Sequence, residues 1–259
     1  MAKLALFPLG VMLLLVAGSL CSLIFQLEPG ILRSMSGDPE LRFALLLSLA
    51  TSSCSLLLAL IIAVPAAWAL TRLDFPGRGL VNVLLDLPLV TPPLVVGLGL
   101  LLLLGQQGPF SPVLSGLLFS PAGVIIAQTY VASAILLRAA SGAFSAIESG
   151  YLLTAQNLGL TPLKTLILVE IPLCWPSLLS GCVLAFSRAC GEFGATLMLA
   201  GAVRLKTETL PVAVYLNIAT GDFSRAIGCA LALILLAGVL LLVLRGLQYL
   251  GESRSAARG

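Results

Sequence analysis

The sequence predicts an all-α, polytopic membrane protein with about six transmembrane helices. Hydrophobic residues make up 59% of its 259 residues and charged residues only 10%, where a soluble domain carries about a quarter. Mean hydropathy is +1.12. The apolar runs are long and leucine-rich, without alternation of period two. Backbone groups cannot stay unpaired in hydrocarbon, so such runs cross it as helices.

Spanning about 30 Å of hydrocarbon takes about 20 apolar residues. The stretches that qualify are 4–25, 41–70, 82–104, 121–141, 173–200 and 224–247. The first follows Lys3, as a signal peptide would. Its apolar run from Leu4 to Phe25 is longer than the usual cleaved segment, and no A-x-A-like site closes it. It reads as a retained helix, with cleavage the alternative. The segment 26–40 holds Gly, Pro and acidic residues and reads as a loop. Asp38 is placed to cap the second helix, with Pro39 at its first position and Glu40 in its first turn. Pro65 falls inside that helix and can kink it. The stretch 71–79, with Arg72, Arg78 and Pro76-Gly77, reads as a short basic turn.

The third span carries Asp86, Pro88, Thr91, Pro92, Pro93, Gly97 and Gly99. Such a composition destabilises a soluble helix. Broken helices persist in membranes where they pack in protein or line a water-filled cavity. A plain proline kink and a pathway lining are both open readings, and the polar Asp86 and Thr91 favour the second. The stretch 105–120 reads as a loop with room for a short re-entrant piece. In the fifth span Arg188 and Glu192 stand four apart, on one helix face. Charge at membrane depth is costly and marks functional interiors; a structural ion pair that locks the bundle is the competing reading. The stretch 201–223, with Arg204, Lys206, Glu208, Pro211 and Asp222, reads as an ordinary solvated loop or a surface for a soluble partner. The small polar tail 251–259 reads as frayed.

Basic residues near the span ends set orientation. With the N-terminus inside, the cytoplasmic side holds Lys3, Arg72, Arg78, Arg138, Lys164, Arg245, Arg254 and Arg258. The outer side holds Arg33, Arg42, Arg204, Lys206 and Arg225. The bias places both termini in the cytoplasm. The net charge of +3 gives no case for nucleic acid. Cys21, Cys54, Cys174, Cys182, Cys190 and Cys229 lie in or beside apolar runs and form no C-x-x-C pair, so they read as small hydrophobes. With no His, zinc and iron–sulfur chemistry lack support. No G-x-x-x-x-G-K-[ST] loop occurs, so any ATP is handled by another chain.

One polar interruption between two spans stands out, SGAFSAIESGYLLTAQNLGLTPLK from Ser141 to Lys164, followed by Val169-Glu170-Ile171-Pro172. It is larger than a bare anchor needs. A central Gly between two short helical patterns makes it read as a docking surface for a soluble partner, which implies a transport machine with its motor elsewhere.

In this loop the chain resembles permease subunits of ATP-binding-cassette importers, whose motif reads E-A-A, three residues, G, nine residues, then I-x-L-P. Ala155 matches the second Ala, Gly159 the Gly and Pro172 the Pro; Val169 and Ile171 replace Ile and Leu, while Leu153 and Thr154 depart from Glu and Ala. Gly159 permits a tight turn, the apolar side chains of one short helix can fill a groove on the ATPase, and Pro172 suits the start of the next span. Within the superfamily the chain is similar to molybdate permeases and related tungstate and sulfate ones. The carrying stretches are Asp74-Phe75-Pro76-Gly77-Arg78, Asp86 to Gly97, Gly191-Glu192-Phe193-Gly194-Ala195-Thr196, and Lys206 to Pro211 followed by Val214-Tyr215.

The resemblance implies a type I importer-permease fold in one domain over 1–259, with an N-terminal helix at 4–25, a core at about 41–247 and a coupling loop at about 142–172. It implies a multi-pass homodimer in the cell inner membrane, among lipid, with an oxyanion pathway at its axis. Two ATPase subunits, holding ATP and Mg, would dock below, and an extracytoplasmic oxyanion-binding protein would deliver substrate from above. The cargo expected is molybdate or tungstate, with sulfate or thiosulfate the alternative, and the chain itself breaks no bond. The expected pathway and gate residues are Thr91, Pro92, Pro93, Gly97, Arg188 and Glu192, with Arg188 attracting the anion and Glu192 tempering that attraction. The expected coupling residues are Ala155, Gly159, Leu160 and Pro172. An ATPase-independent secondary transporter would instead want internal repeats and embedded acids. A membrane enzyme would want a general base, and a scaffold would lack genes for an ATPase and a binding protein beside its own.

Overall fold

The computed structural model describes residues 2–26, 37–105, 108–110 and 115–256, with side chains described over 7–26, 37–105, 108–110 and 116–246. Most of the loop expected at 26–40, with Arg33, lies outside the described residues, as do parts of 105–120 and the end of the tail with Arg258.

Helix α1 (Ala2–Phe25) has no buried residue from Phe7 onward and touches the last helix. Helix α2 (Pro39–Arg72) is 34 residues long, about 50 Å at roughly 1.5 Å per residue. It begins as the sequence dictates. Asp38 is extended and its carboxylate accepts the Glu40 N–H at 2.9 Å, with Pro39 in the first turn. Pro65 stays within the unbroken helix.

Helix α2 packs along α5 (Pro121–Ser145) and carries a stripe of small buried residues, Ala44, Ser48, Ser52, Ser55, Ala59, Ala63 and Ala67, of which Ser55, Ala59, Ala63 and Ala67 meet α5 while Ala44 and Ser48 meet Leu210. Their spacings of three and four keep them on one face. Without water to drive association, close backbone approach and short hydrogen bonds hold helices together in lipid. Here Ser55 Oγ donates to the Ile125 carbonyl at 3.1 Å. The main core joins Ala59, Ala63 and Ala67 to Leu136, Ala140 and Phe144 of α5 and to Leu166, Leu178 and Ala185 of the fifth span. Exposed apolar residues such as Leu57, Ile61 and Leu242 form the hydrocarbon-facing surface.

The third span is two helices, α3 (Arg78–Val90) and α4 (Pro93–Leu104), bent by 115° at Thr91-Pro92. Pro88 is accommodated inside α3, but two successive prolines are not. Each lacks an N–H and pushes the residue before it into extended backbone, and Thr91 and Pro92 have ψ of 133° and 134°.

The fifth span differs from the expected 173–200 at both ends. It begins with α7 (Pro162–Thr165), passes through a π-helical turn (Leu166–Glu170) and continues as α8 (Ile171–Cys190). It stops at Gly191, and a separate helix α9 (Gly194–Ala200) follows. Before α7 comes α6 (Ser149–Asn157), and the stretch expected as loop at 201–223 contains the apolar helix α10 (Leu210–Ala219). Helix α11 (Phe223–Ala256) closes the bundle. Among the described residues 5 helices are long and apolar enough to cross a membrane, or 6 spans with the bent pair counted as one.

Candidate functional site

The bend of the third span meets the break of the fifth. Pro92, Pro93 and Leu94 share one cleft of about 320 Å³ with Arg188, Gly191, Glu192, Phe193 and Gly194. The approach depends on missing side chains. A Cβ on Gly194 would stand 2.8 Å from Pro93 Cβ, and one on Gly97 would stand 2.8 Å from Ala195 Cα.

Glu192 is fully buried and its Oε2 lies 2.7 Å from Arg188 Nη1, while the Arg188 side chain is 39% exposed. The other carboxylate oxygen accepts the Ala195 N–H at 2.9 Å in the first turn of α9. A buried carboxylate is tolerable when a cation and a backbone donor both hold it. The two residues do not share a helix face as expected: α8 ends at Cys190, and the pair spans the break. Turning Glu192 back to cap a new helix ends the fifth span early. Arg188 therefore offers the cleft a partly balanced charge.

Of the expected pathway residues, Pro92, Pro93, Arg188 and Glu192 share this cleft. Thr91 sits half-buried at the bend, its N–H donating to the Leu87 carbonyl at 2.8 Å. Gly97 is buried in the α4–α9 contact. Asp86, weighed as a polar lining group, pairs with Arg138 of α5, which also donates to the Asn82 carbonyl at 2.8 Å, so it ties α3 to α5.

The loop between α5 and the fifth span is the second candidate region. Gly159 has φ +75°, a conformation that costs other residues strain, and it reverses the chain after α6. The Leu160 N–H then donates to the Ala155 carbonyl at 3.1 Å. Ala155 is buried, whereas Tyr151, Leu153, Leu158 and Leu163 form an exposed apolar surface. Pro172 lies in the first turn of α8, as expected, but α8 continues directly from the π turn ahead of it. Pro172 has no N–H for the Leu168 carbonyl, and the wider turn before it gives its ring room.

The sequence reading passed over Glu170. Its side chain is 2% exposed, and it accepts from Trp68 Nε1 at 2.9 Å and from Arg72 Nε at 2.9 Å. Arg72 Nη2 also donates to the Phe144 carbonyl at 2.8 Å. A lone acid at the head of one apolar run and a lone arginine at the end of another were visible in the sequence, but not their pairing.

At the start of α2, Arg225 lies 3.5 Å from Asp38 and 3.6 Å from Glu40, and Arg204 also pairs with Glu40. Glu208 is buried nearby and accepts the N–H of Leu205, a residue at φ +53°, at 2.9 Å. Burial pushes the Glu208 carboxyl above its usual range; the Leu205 N–H opposes this and the Glu40 charge adds to it. Arg204 and Glu208 thus serve the fold, while Lys206 stays exposed. No group of three or more potential metal ligands occurs among the described residues.

Residues 55–256 match the family of binding-protein-dependent transport system inner membrane components, and the chain belongs to that family. More particularly, it is 36% identical over 241 residues to a probable molybdenum ABC transporter permease protein of Haloferax volcanii, covering 93% of this chain and 88% of that protein. It is 34% identical over 224 residues to the molybdenum transport system permease protein ModB of Escherichia coli K12, covering 84% and 97%. Among solved structures it resembles a chain of a bacterial alginate ABC transporter in complex with its pentasaccharide-bound periplasmic protein, with TM-score 0.76, 15% identity and coverage of 94% and 92%. It also resembles a chain of the inward-facing MetNI methionine ABC transporter, with TM-score 0.62, 17% identity and coverage of 79% and 94%. These two speak to the fold alone.

Proposed function

We propose that this chain is the membrane subunit of an ATP-driven importer that carries molybdate into the cytoplasm. The observation that carries the reading is similarity to molybdenum permeases along nearly the whole length of both proteins. In this reading two copies form the pathway, and both termini lie in the cytoplasm. Two ATPase subunits, which hold the ATP and Mg, dock on the exposed apolar surface around Gly159, with Ala155, Leu160 and Pro172 supporting it. An extracytoplasmic binding protein delivers the anion to the opposite face. The chain breaks no bond; it converts ATPase closure into alternating access.

The pathway runs past Thr91, Pro92, Pro93, Gly97, Arg188 and Glu192. Arg188 draws the anion, and its pairing with Glu192 keeps the site shallow enough for release, as any conducting site requires. The test is ATP-driven uptake into proteoliposomes holding this chain, its ATPase and its binding protein, with labelled molybdate, tungstate and sulfate compared. Molybdate uptake that sulfate competes with poorly is the expected result. Preferential tungstate or sulfate uptake reassigns the cargo, and no ATP-dependent uptake by an assembled complex overturns the reading.

A further inference from the structure

Arg72 holds both feet of the α6–α7 loop. At the loop's entry its Nη2 donates to the Phe144 carbonyl near the end of α5, at 2.8 Å. At the exit its guanidinium grips Glu170 in the π turn, with Nε and Nη2 each 2.9 Å from Oε2. Trp68, one turn back on α2, donates to the other Glu170 oxygen at 2.9 Å. The loop helix α6 packs chiefly on α7 and the π turn. A push on α6 therefore enters the membrane along the chain into α5 or through the π turn into α8. Both routes converge on one guanidinium, which is the last residue of α2. Arg72, Glu170, Leu152, Gln156 and Leu160 also line a single cleft, so the loop lies directly against this joint.

We infer that Arg72 and Glu170 are positioning residues for energy coupling: they form the joint through which movement of the α6–α7 loop is passed to α2 and on to its far end at Asp38. Apolar contacts between helices can slide, whereas a buried ion pair has a single satisfied arrangement and resists slipping. The guanidinium fork suits the task because it bonds two partners in fixed geometry, which a lysine ammonium does not. Helix α2 carries the movement as a rod held by its seam on α5. The inference rests on the reading of the loop as the ATPase docking surface, but not on the identity of the cargo.

The experiment uses the reconstituted complex with its ATPase and binding protein. Uptake and ATP hydrolysis are measured together, after confirming that the ATPase copurifies. Glu170→Gln keeps hydrolysis near the wild-type rate while ATP spent per imported ion rises about tenfold, within the usual range of coupling energies. Arg72→Lys, which keeps the charge but loses the fork, gives a smaller rise, and Trp68→Phe, which removes one hydrogen bond, smaller still. A cargo-independent readout is a spin label at Arg42→Cys, an exposed site near the Asp38 end, with Cys21 and Cys54 replaced by serine. In the otherwise wild-type complex the label-to-label distance between the two copies shifts when ATP is trapped with vanadate; in Glu170→Gln the shift is lost while trapping persists. An equal shift in both, no shift in either, or hydrolysis and uptake falling in proportion overturns the joint. Failure of the cargo reading shows separately, as absent wild-type molybdate uptake with the distance change intact.

Discussion

The two ends of α2 are both held by ions, in opposite ways. At Arg72 the partner carboxylate is buried and every contact is 2.9 Å or shorter. At Asp38 and Glu40 the contacts range from 2.5 Å for Arg204 to 3.5 and 3.6 Å for Arg225, and the Arg204 and Arg225 side chains are 33% and 50% exposed. Water reaches the partners at the second end more readily than it reaches Glu170 at the first. A buried pair that loses one member leaves an uncompensated charge, costing about 3–5 kcal/mol, whereas exposed pairs are worth about 0.2–1 kcal/mol. One helix is thus anchored on a buried carboxylate where the loop meets it and on partly exposed ion pairs at its other end.

The sharpest way to break this contrast is Arg72→Ala. It should lower stability by about 3–5 kcal/mol, seen as a large drop in the thermal midpoint in detergent; an unchanged midpoint would make the two ends equivalent. Next is Gly159→Val, which forces a β-branched residue into φ +75° at about 1–3 kcal/mol of local strain. The bundle should stay folded while hydrolysis and uptake come apart, and normal coupling would count against docking at this turn. Thr91→Leu touches neither end of α2. It should reduce uptake with the midpoint and ATPase copurification unaltered, and unchanged uptake would remove Thr91 from the pathway.

Arg225→Ala should cost at most about 1 kcal/mol, and less as salt is raised. A drop as large as that of Arg72→Ala would show the Asp38 end to be rigid too. The smallest effect concerns pH at Glu208. Its carboxyl is raised above the ordinary 4.5 by burial, so the folded state holds the proton longer than the unfolded chain does. The associated stability is fully present below the ordinary value and is lost as pH rises through the raised one. The thermal midpoint should therefore decline over that window in the wild type and less steeply in Glu208→Gln; parallel slopes would remove Glu208 as the cause.

Much of the fold was legible because its causes are local. Apolar runs of sufficient length define spans, Asp38-Pro39-Glu40 starts α2, and the glycine after α6 turns the loop. The candidate cleft was legible in part. Pro92-Pro93 and Arg188 with Glu192 were visible as two separate oddities, each in its own span. That they face each other depends on Gly97 and Gly194 letting α4 and α9 touch, a contact between residues almost a hundred positions apart. The seam of small residues along α2 was readable from its spacing of three and four, and it passed unread because leucines dominate the same stretch.

By itself the sequence determined a helical membrane protein with a large polar loop between two spans and a resemblance to oxyanion importers, since lipid demands self-satisfied backbones and turns demand particular residues. Tertiary structure alone decided that Glu192 leaves its helix to cap another, and that Asp86 is spent on Arg138. It alone decided that Glu170 finds Arg72 and Trp68, 98 and 102 residues away. The reason is clearest for the two buried carboxylates, Glu170 and Glu192. In a low-dielectric interior a charge must find a partner, and which partner is nearest is set by how the helices pack, not by what stands beside it in the chain.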